Sequence, residues 1–457
     1  MGISSLGVGS SILTQDVLDQ LRQADEASII NPITRNIAKE NDRKSELDVI
    51  DATMKNLSDS INELKNATLF DQRKVDVSGS SVSVSASANS DIQEFTIDVT
   101  QLATKQIEES GSFSSSSDTI ADASGSLTLN VNGKDFTIDY TDTTTLNDLK
   151  KSINDIAGDE VNATIVQIGD GDYRLFLNSV NTGSNQDITI TDNDGNLSGT
   201  QLTDDLTTVQ AGVDAEFSYN GQSITRHSND VTDLITGYEI TLETTGSSTV
   251  NVMQNRDEIM KRIDSFVEKY NAAVDELNKT TKSSMEVDER GIFSDSSTIR
   301  GMKSTIENML DSAGGAVGSL QDYGFELSRD GKLSVDKSVI ESKLDDNPAN
   351  VEAFFGGGDY ENADGTTISL TGAFTDMSKE LGVYTDYNGN LDQYQTSITD
   401  RISALEESKT KALERLDAKY EIMQKQWAAY DLMISQLNSA SSMFIQMANA
   451  DTAAQNN

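Results

Sequence analysis

The sequence predicts an α+β chain: a long antiparallel coiled coil or helical bundle formed by the N- and C-terminal segments, with β-rich head domains inserted between them. Three observations carry this. The stretch from Leu391 to about Ala448 contains no Gly and no Pro, and its apolar residues step mostly by three and four. A second stretch of matching length, Thr14 to Asn66, lies at the opposite end of the chain. Between the two, the apolar period shortens to two, the spacing of strands.

The C-terminal stretch comes first because the rest depends on it. Leu391, Tyr394, Ile398, Ile402, Leu405, Leu413, Leu416, Tyr420, Met423, Trp427, Tyr430, Ile434 and Leu437 form a seam, and such a seam needs a partner helix. At ~1.5 Å per residue the helix would span ~85 Å, too long for a compact domain. In the N-terminal stretch Leu47, Ile50, Met54, Leu57, Ile61 and Leu64 alternate three and four apart. The two seams are expected to pair into a stalk, with Ile398, Ile402, Leu405, Leu416 and Met423 as the C-terminal contribution. Ile50 and Leu57 are expected beside Leu405–Met423. Glu40 and Arg43 also fall on the seam, so its first half should pair less tightly.

In chain order, residues 1–13 are Gly/Ser-rich with scattered apolar residues, a composition expected to be disordered alone. Thr14 is a candidate N-cap for a helix bearing Val17, Leu18 and Leu21. Asn31-Pro32 is expected to interrupt it, since Pro disfavours a helical residue before it. A second helix should run from about Thr34 to Asn66. Strands follow at Val82–Ala88 and Phe95–Val99, with Ser110–Ser117 as a loop. Residues 126–180 read as a ββαββ unit. Asn132-Gly133 turns its first hairpin, Thr145 caps a short helix stopped by Gly158, and Gly169–Gly171 turns the second hairpin. Leu202–Thr208 reads as a polar linker. Strands return at Ala215–Tyr219, Gln222–Thr225 and Tyr238–Leu242.

The helical period resumes near Gln254 with the stripe Ile259, Ile263, Phe266, Tyr270, Val274 and Leu277. Ser296–Leu310 is a further helix, Phe325–Val335 a small hairpin, and Pro348 opens a short helix ended by Gly356–Gly358. The polar stretch Asp359–Thr367 leads to a helix around Phe374–Leu381. The domain division expected from this is a terminal segment at 1–35, disordered before assembly, and a helical leg at 36–74 plus 253–420. A β head at 75–120 plus 205–252 carries an insertion at 121–204, and a docking helix occupies 421–457.

Composition narrows the function. Acidic residues outnumber basic ones 75 to 35, for a net charge of −40. That argues against nucleic acid and anionic membranes as partners. The charge is uneven: residues 75–252 hold 28 acidic and 6 basic residues, whereas 1–74 hold 12 and 9. No cysteine is present, so disulfide and thiol chemistry are absent. No run of about 18 apolar residues exists to span a membrane. The opening MGISSLGVGSSILT lacks the basic and apolar regions of a secretory signal peptide, which by itself leaves a cytoplasmic expectation.

No catalytic constellation is found, and no cofactor or metal is called for. The single histidine, His227, has no partner for a metal site or triad and is expected on a strand surface. Asp192–Asn196 lacks the spacing and closing Glu of a calcium loop and reads as a turn. The aromatic and Met content of the last helix admits two readings. It fills the stalk core, or part of it docks on a partner, because Met433 and Ile434 are adjacent and cannot share one helix face. The docking candidates are Leu6, Val8, Val17, Leu21, Trp427, Tyr430, Met433, Ile434, Leu437 and Phe444.

Several stretches together resemble the flagellar filament cap, or hook-associated filament-capping, family. They are GISSLGVGSSILTQDVLDQLRQAD, FTIDVTQLATKQ, AEFSYNGQSITRHSNDVTDLITGYEITLE, GIFSDSSTIRGMKSTI, YGFELSRDGKLSVD, NPANVEAFFGG and QWAAYDLMISQLNSASSMF. Residues 126–180 resemble the flagellin-type insertion. The motifs occur in order over nearly the whole chain; Phe325–Ser328 departs from the family's Gly-Ile-Thr-like run. The resemblance implies a non-enzymatic assembly factor at the distal tip of the bacterial flagellum. It would be secreted by the flagellar type III export apparatus with a chaperone, and would form a closed homo-oligomeric ring that acts on flagellin at the filament tip. Export by that route would replace the cytoplasmic expectation with an extracellular one. The rival readings are a flagellin or hook–filament junction protein, which would copolymerise into tubes, and a surface adhesin with an acidic β head.

Overall fold

The computed structural model describes residues 6, 7, 9, 10, 12, 14–312 and 317–455. The chain divides into two compact units, Met1–Ala67 with Ile259–Asn457, and Thr68–Glu258.

The first unit opens with α1 (Gln15–Leu64), whose N-terminus is capped by Thr14: the Val17 backbone N–H donates to Thr14 Oγ1 at 3.4 Å. Pro32 lies inside this helix, so the expected interruption there is overturned. A proline within a helix forfeits one backbone hydrogen bond and costs about 3 kcal/mol. Packing outweighs that cost, because the chain before and after Pro32 follows the same partner helix. Leu18 and Ile30 share one buried cluster with Leu416 and Tyr420. Arg22 reaches Asp417 at 2.5 Å before the proline, and Glu40 meets Arg401 at 3.4 Å after it. Two helices at an angle could not both make these contacts.

The second unit contains α2 (Thr68–Asp71), β1 (Arg73–Ser78), β2 (Val82–Ala86), β3 (Gln93–Gln101), β4 (Lys105–Glu109), β5 (Gly125–Val131), β6 (Lys134–Tyr140), α3 (Leu146–Ala157), β7 (Val161–Gly169), β8 (Asp172–Thr182), β9 (Ile188–Asp192), β10 (Thr207–Gln210), β11 (Ala215–Tyr219), β12 (Gln222–Arg226), β13 (Asp230–Val231), β14 (Tyr238–Leu242) and β15 (Gly246–Gln254). It holds two apolar cores. One is built on the five-stranded sheet β1-β15-β3-β11-β12 and the three-stranded sheet β13-β14-β2, all antiparallel. Phe95, Ile97 and Val99 of β3 alternate into it, beside Phe217, Tyr238 and Val250.

The second core carries the ββαββ elements, yet they do not form one sheet. β5 pairs with β6 on one side and β9 on the other, while β7 and β8 join β4 and β10 in the order β10-β4-β8-β7. Leu146, Leu149 and Ile153 of α3 are buried in this core together with Leu127, Leu129, Leu175 and Leu177. A capping box at Thr145 and Asp148 starts the helix, as the Thr145 cap predicts. Asn132 and Gly133 both have positive φ, 51° and 72°, as a two-residue hairpin turn requires. The expected linker Leu202–Thr208 is a correction: Leu202 is buried in the core, and the segment enters edge strand β10. Its polar residues are those that an exposed strand edge tolerates.

The first unit resumes with α4 (Arg256–Thr281) and α5 (Ser297–Ser312), then the hairpin β16 (Phe325–Leu327) and β17 (Leu333–Val335). α6 (Lys337–Asp346), α7 (Pro348–Gly356), the hairpin β18 (Gly358–Glu361) and β19 (Thr367–Leu370), α8 (Ala373–Thr385) and α9 (Asn390–Gln455) follow. All six residues of the α4 stripe from Ile259 to Leu277 are buried. Phe374 of α8 sits 5.0 Å, centroid to centroid, from both Phe266 and Phe355. Tyr323 stacks on Phe354 at 3.8 Å. Such contacts add about 0.5–1.5 kcal/mol each beyond the area they bury. The polar stretch Asp359–Thr367 contributes the hairpin β18–β19, which its sequence does not announce.

Candidate docking surface

α9 is one helix of 66 residues, and its two ends live in different surroundings. Near its start, Leu391 and Ile398 are buried. It then runs antiparallel to α1, and polar pairs fix the register. Asp48 accepts from Gln395 at 2.6 Å, Arg22 donates to Asp417, Asp25 accepts from Lys419 at 2.6 Å and from the Tyr420 hydroxyl at 2.8 Å, and Gln15 accepts from Gln424 at 3.3 Å.

That register corrects one expectation. Leu405–Met423 face the first half of α1, not Ile50 and Leu57. Leu57 lies between Asp48, which faces Gln395, and Asn62, which accepts from Ser378 of α8 at 2.9 Å. Along α1 it is therefore level with the junction of α8 and α9, not with Leu405–Met423. α4 runs along the same half of α1, through Lys279–Glu46 at 2.5 Å and Arg262–Glu63 at 2.7 Å. Leu47, Ile50, Met54, Leu57, Ile61 and Leu64 are all at most 1% exposed. Seams on two helices this long can slide by whole heptads without changing the apolar match; the polar pairs select one register.

Ile402, Leu405 and Met423 are half-buried and Leu416 is buried. Arg43 is buried, and both oxygens of Asp295 accept from its Nη2 at 2.6 Å. Burial alone would raise the Asp295 carboxyl, but Arg43's hydrogen bond and charge outweigh it and hold the group below the usual carboxylate range. The polar interruption of the seam at Glu40 and Arg43 is thus filled from the segment ahead of α5.

Beyond Tyr420 the helix changes character. Trp427 and Ile434 are half-buried, whereas Tyr430 and Met433 are each 58% exposed, Leu437 64% and Phe444 69%. Ile422, Leu432, Met443, Ile445 and Met447 are exposed as well; the helical spacing alone could have added them. Of the N-terminal candidates, Leu6 and Val17 are half-buried, Leu21 is exposed, and Val8 lies outside the described residues. The exposed apolar surface is therefore concentrated on α9 from Ile422 to Met447, and single apolar residues at that density are not ordinary monomer surface.

The rest of the molecule offers no chemistry of comparable weight. His227 is exposed on the β unit, and its Nδ1 lies 2.7 Å from Asp214 Oδ1. The Ser184 backbone N–H and the His227 ring hold the Asp214 carboxyl below its ordinary range. Asp192 accepts from the Tyr140 hydroxyl at 2.6 Å and from the Leu197 N–H at 3.0 Å, the bonds of a turn. Among the described residues no group of acidic or imidazole side chains could hold a metal ion, and no helix is long and apolar enough to cross a membrane.

Against known proteins, the family model for the N-terminus of flagellar hook-associated protein 2 matches residues 10–106, and that for its C-terminus matches residues 212–439. Residues 107–211, between the matches, hold most of the second β core. The chain is similar to flagellar hook-associated protein 2 of Campylobacter jejuni, with 30% identity over 410 residues, 77% of this chain and 64% of that protein. It spans 97% of the corresponding Aeromonas caviae protein at 26% identity, with 97% of this chain covered. Its fold resembles the crystal structure of the D1-D2-D3 domains of the flagellar cap protein from Escherichia coli. The TM-score is 0.61 at 22% identity, covering 78% of this chain and 99% of that one. With both family models matched in order, the chain belongs to the flagellar hook-associated protein 2 family.

Proposed function

We propose that this chain is a structural protein that caps the distal end of the bacterial flagellar filament and promotes insertion of exported flagellin there. The observation that carries the reading is the exposed apolar run on α9 from Ile422 to Met447, in a chain whose relatives are named hook-associated and cap proteins. A face of that kind is suited to reversible docking between helices of a growing filament. Leu6, Val8, Val17, Leu21, Trp427, Tyr430, Met433, Ile434, Leu437 and Phe444 supply the contacts. Paired α1 and α9 act as the stalk, and the acidic β unit as the head.

Copies of the chain close into a ring. The chain leaves the cell through the flagellar type III export apparatus, with a chaperone covering its apolar ends, and works outside the cell at the filament tip. The end of α9 from Ile422 to Met447, whose exposed apolar face has no cover in the single chain, gains that cover on docking. No catalysis is assigned, and no observation favours an adhesin or a polymerising flagellin. Electron microscopy of the purified protein tests the reading. Closed particles of fixed size are expected, and open tubes would overturn it. Deletion of the gene should abolish filaments and release flagellin into the medium; motile filaments in the deletion strain would contradict it.

A further inference from the structure

The residues described ahead of α1 fold back onto the far end of α9. The Gly7 N–H donates to Asp431 Oδ2 at 3.1 Å. The Gly9 N–H reaches both carboxylate oxygens, at 3.0 and 3.1 Å, and the Ser10 N–H reaches Oδ1 at 2.7 Å. In return Asn438 Nδ2 donates to the Gly9 carbonyl at 3.1 Å. Asp431 is only 4% exposed although Tyr430 and Leu432 beside it are open to solvent. Converging backbone N–H groups of this kind form an anion-binding nest.

The glycines are required by geometry. A Cβ on Gly9 would lie 2.1 Å from the Asp431 carbonyl oxygen and 2.7 Å from the Ser435 nitrogen, and Gly7 has φ +96°. Only glycine brings the backbone this close. Asp431 falls within the apolar run of α9, so a carboxylate there is costly to bury unless the turn closes over it.

We propose that Asp431 and the Gly7/Gly9/Ser10 turn form a latch, which clips the N-terminal strap onto α9 where the α1–α9 pairing gives way to the exposed apolar run. Closed, it fastens the two chain ends to each other and covers the Asp431 carboxylate. Open, it frees the strap and bares that carboxylate. The latch acts within one chain and does not depend on the capping role.

Hydrogen–deuterium exchange on the full chain, free and in assembled particles, tests it through peptides covering residues 6–18. Asp431→Ala removes the anion while keeping the helix, since Ala is the strongest helix former. Gly9→Ala keeps the anion and blocks the approach. Asp417→Asn, which alters only the Arg22 pair, is the control. Both latch variants should exchange at least about tenfold faster in the strap than wild type, the scale of losing charge-assisted hydrogen bonds. Peptides from 47–64 should be unchanged, and the control should match wild type. Equal strap exchange in wild type and both variants would overturn the latch. Protection kept in Asp431→Ala but lost in Gly9→Ala would overturn the carboxylate's part in it. Particle counts by microscopy report separately on capping.

Discussion

The two ends of α9 both carry an apolar seam, yet have opposite surroundings, and the more apolar end is the more exposed. Between Leu391 and Tyr420 the apolar side chains meet α1 and its neighbours, and Leu391, Ile398, Leu416 and Tyr420 are buried. Between Ile422 and Met447 nine large apolar side chains face outward, and only Met423, Trp427 and Ile434 are half-buried. The three- and four-residue steps of the first stretch continue through Trp427, Tyr430, Ile434 and Leu437, so amphipathicity alone does not decide which is core. What decides is where α1 ends: its first helical residue, Gln15, faces Gln424. Past that point α9 continues to Gln455, about eight to nine turns; Trp427 still packs against the Leu18 cluster, and further along the Gly7, Gly9 and Ser10 N–H groups bond Asp431. The lesson is that an apolar seam states a need for a partner, while the length of the partner determines whether the chain supplies it.

Charge substitutions break this comparison most sharply. Leu57→Asp, at 0% exposure, puts an unpaired carboxylate into the buried side of α1, and should cost about 3–5 kcal/mol in urea unfolding. Leu437→Asp, at 64% exposure, should leave the unfolding midpoint within about 0.5 kcal/mol of wild type. Equal effects at the two sites would erase the distinction between core and docking face. Truncation should rank the same way: Phe374→Ala removes a ring packed on Phe266 and Phe355 and should cost about 3–5 kcal/mol. Phe444→Ala should cost nothing measurable. Arg43→Ala should be intermediate, about 2 kcal/mol, since Asp295 regains water when its partner goes.

The smallest effect is a pH dependence confined to the α1–α9 pair. Burial, then the Asp25 hydrogen bond and charge, push the Tyr420 hydroxyl up to about 12. The neutral phenol is the form the fold favours, so its contribution is full below the ordinary phenol value of about 10 and is lost as pH rises to about 12. Hydrogen bonds from Lys419 and Tyr420 hold Asp25 below its ordinary carboxylate value. Its contribution is therefore present above that value, and is lost as pH falls through the depressed one. Thermal melts of wild type and Tyr420→Phe across both ranges should differ in slope above pH 10. Coincident slopes would place Tyr420 outside the interface.

Much of this was legible from residue spacing. The α9 helix follows from the lack of Gly and Pro, the α4 stripe from its three- and four-residue steps, and the starts of α1, α3 and α7 from Thr14, Thr145 and Asn347-Pro348. These are local signals. The misreadings share a cause, which is a partner distant in sequence. Pro32 is carried through a helix because both its flanks pack on α9. The register of α1 on α9 is chosen by Arg22, Asp25, Glu40 and Asp48, whose mates lie more than 340 positions away. β10 exists because β4 offers it an edge. By sequence Asp431 is one of 75 acidic residues; Gly7, Gly9 and Ser10 at the other end of the chain give it a role. The docking face was named in outline from Met433 and Ile434 being adjacent, and its extent required knowing where α1 stops.

The most direct test of the docking face is a strain producing the chain with Leu437→Asp and Phe444→Asp together, scored for filaments and for flagellin in the medium, alongside urea unfolding of the purified variant. The account predicts wild-type folding stability, no filaments and shed flagellin. Normal filaments on a strain carrying both substitutions would contradict it.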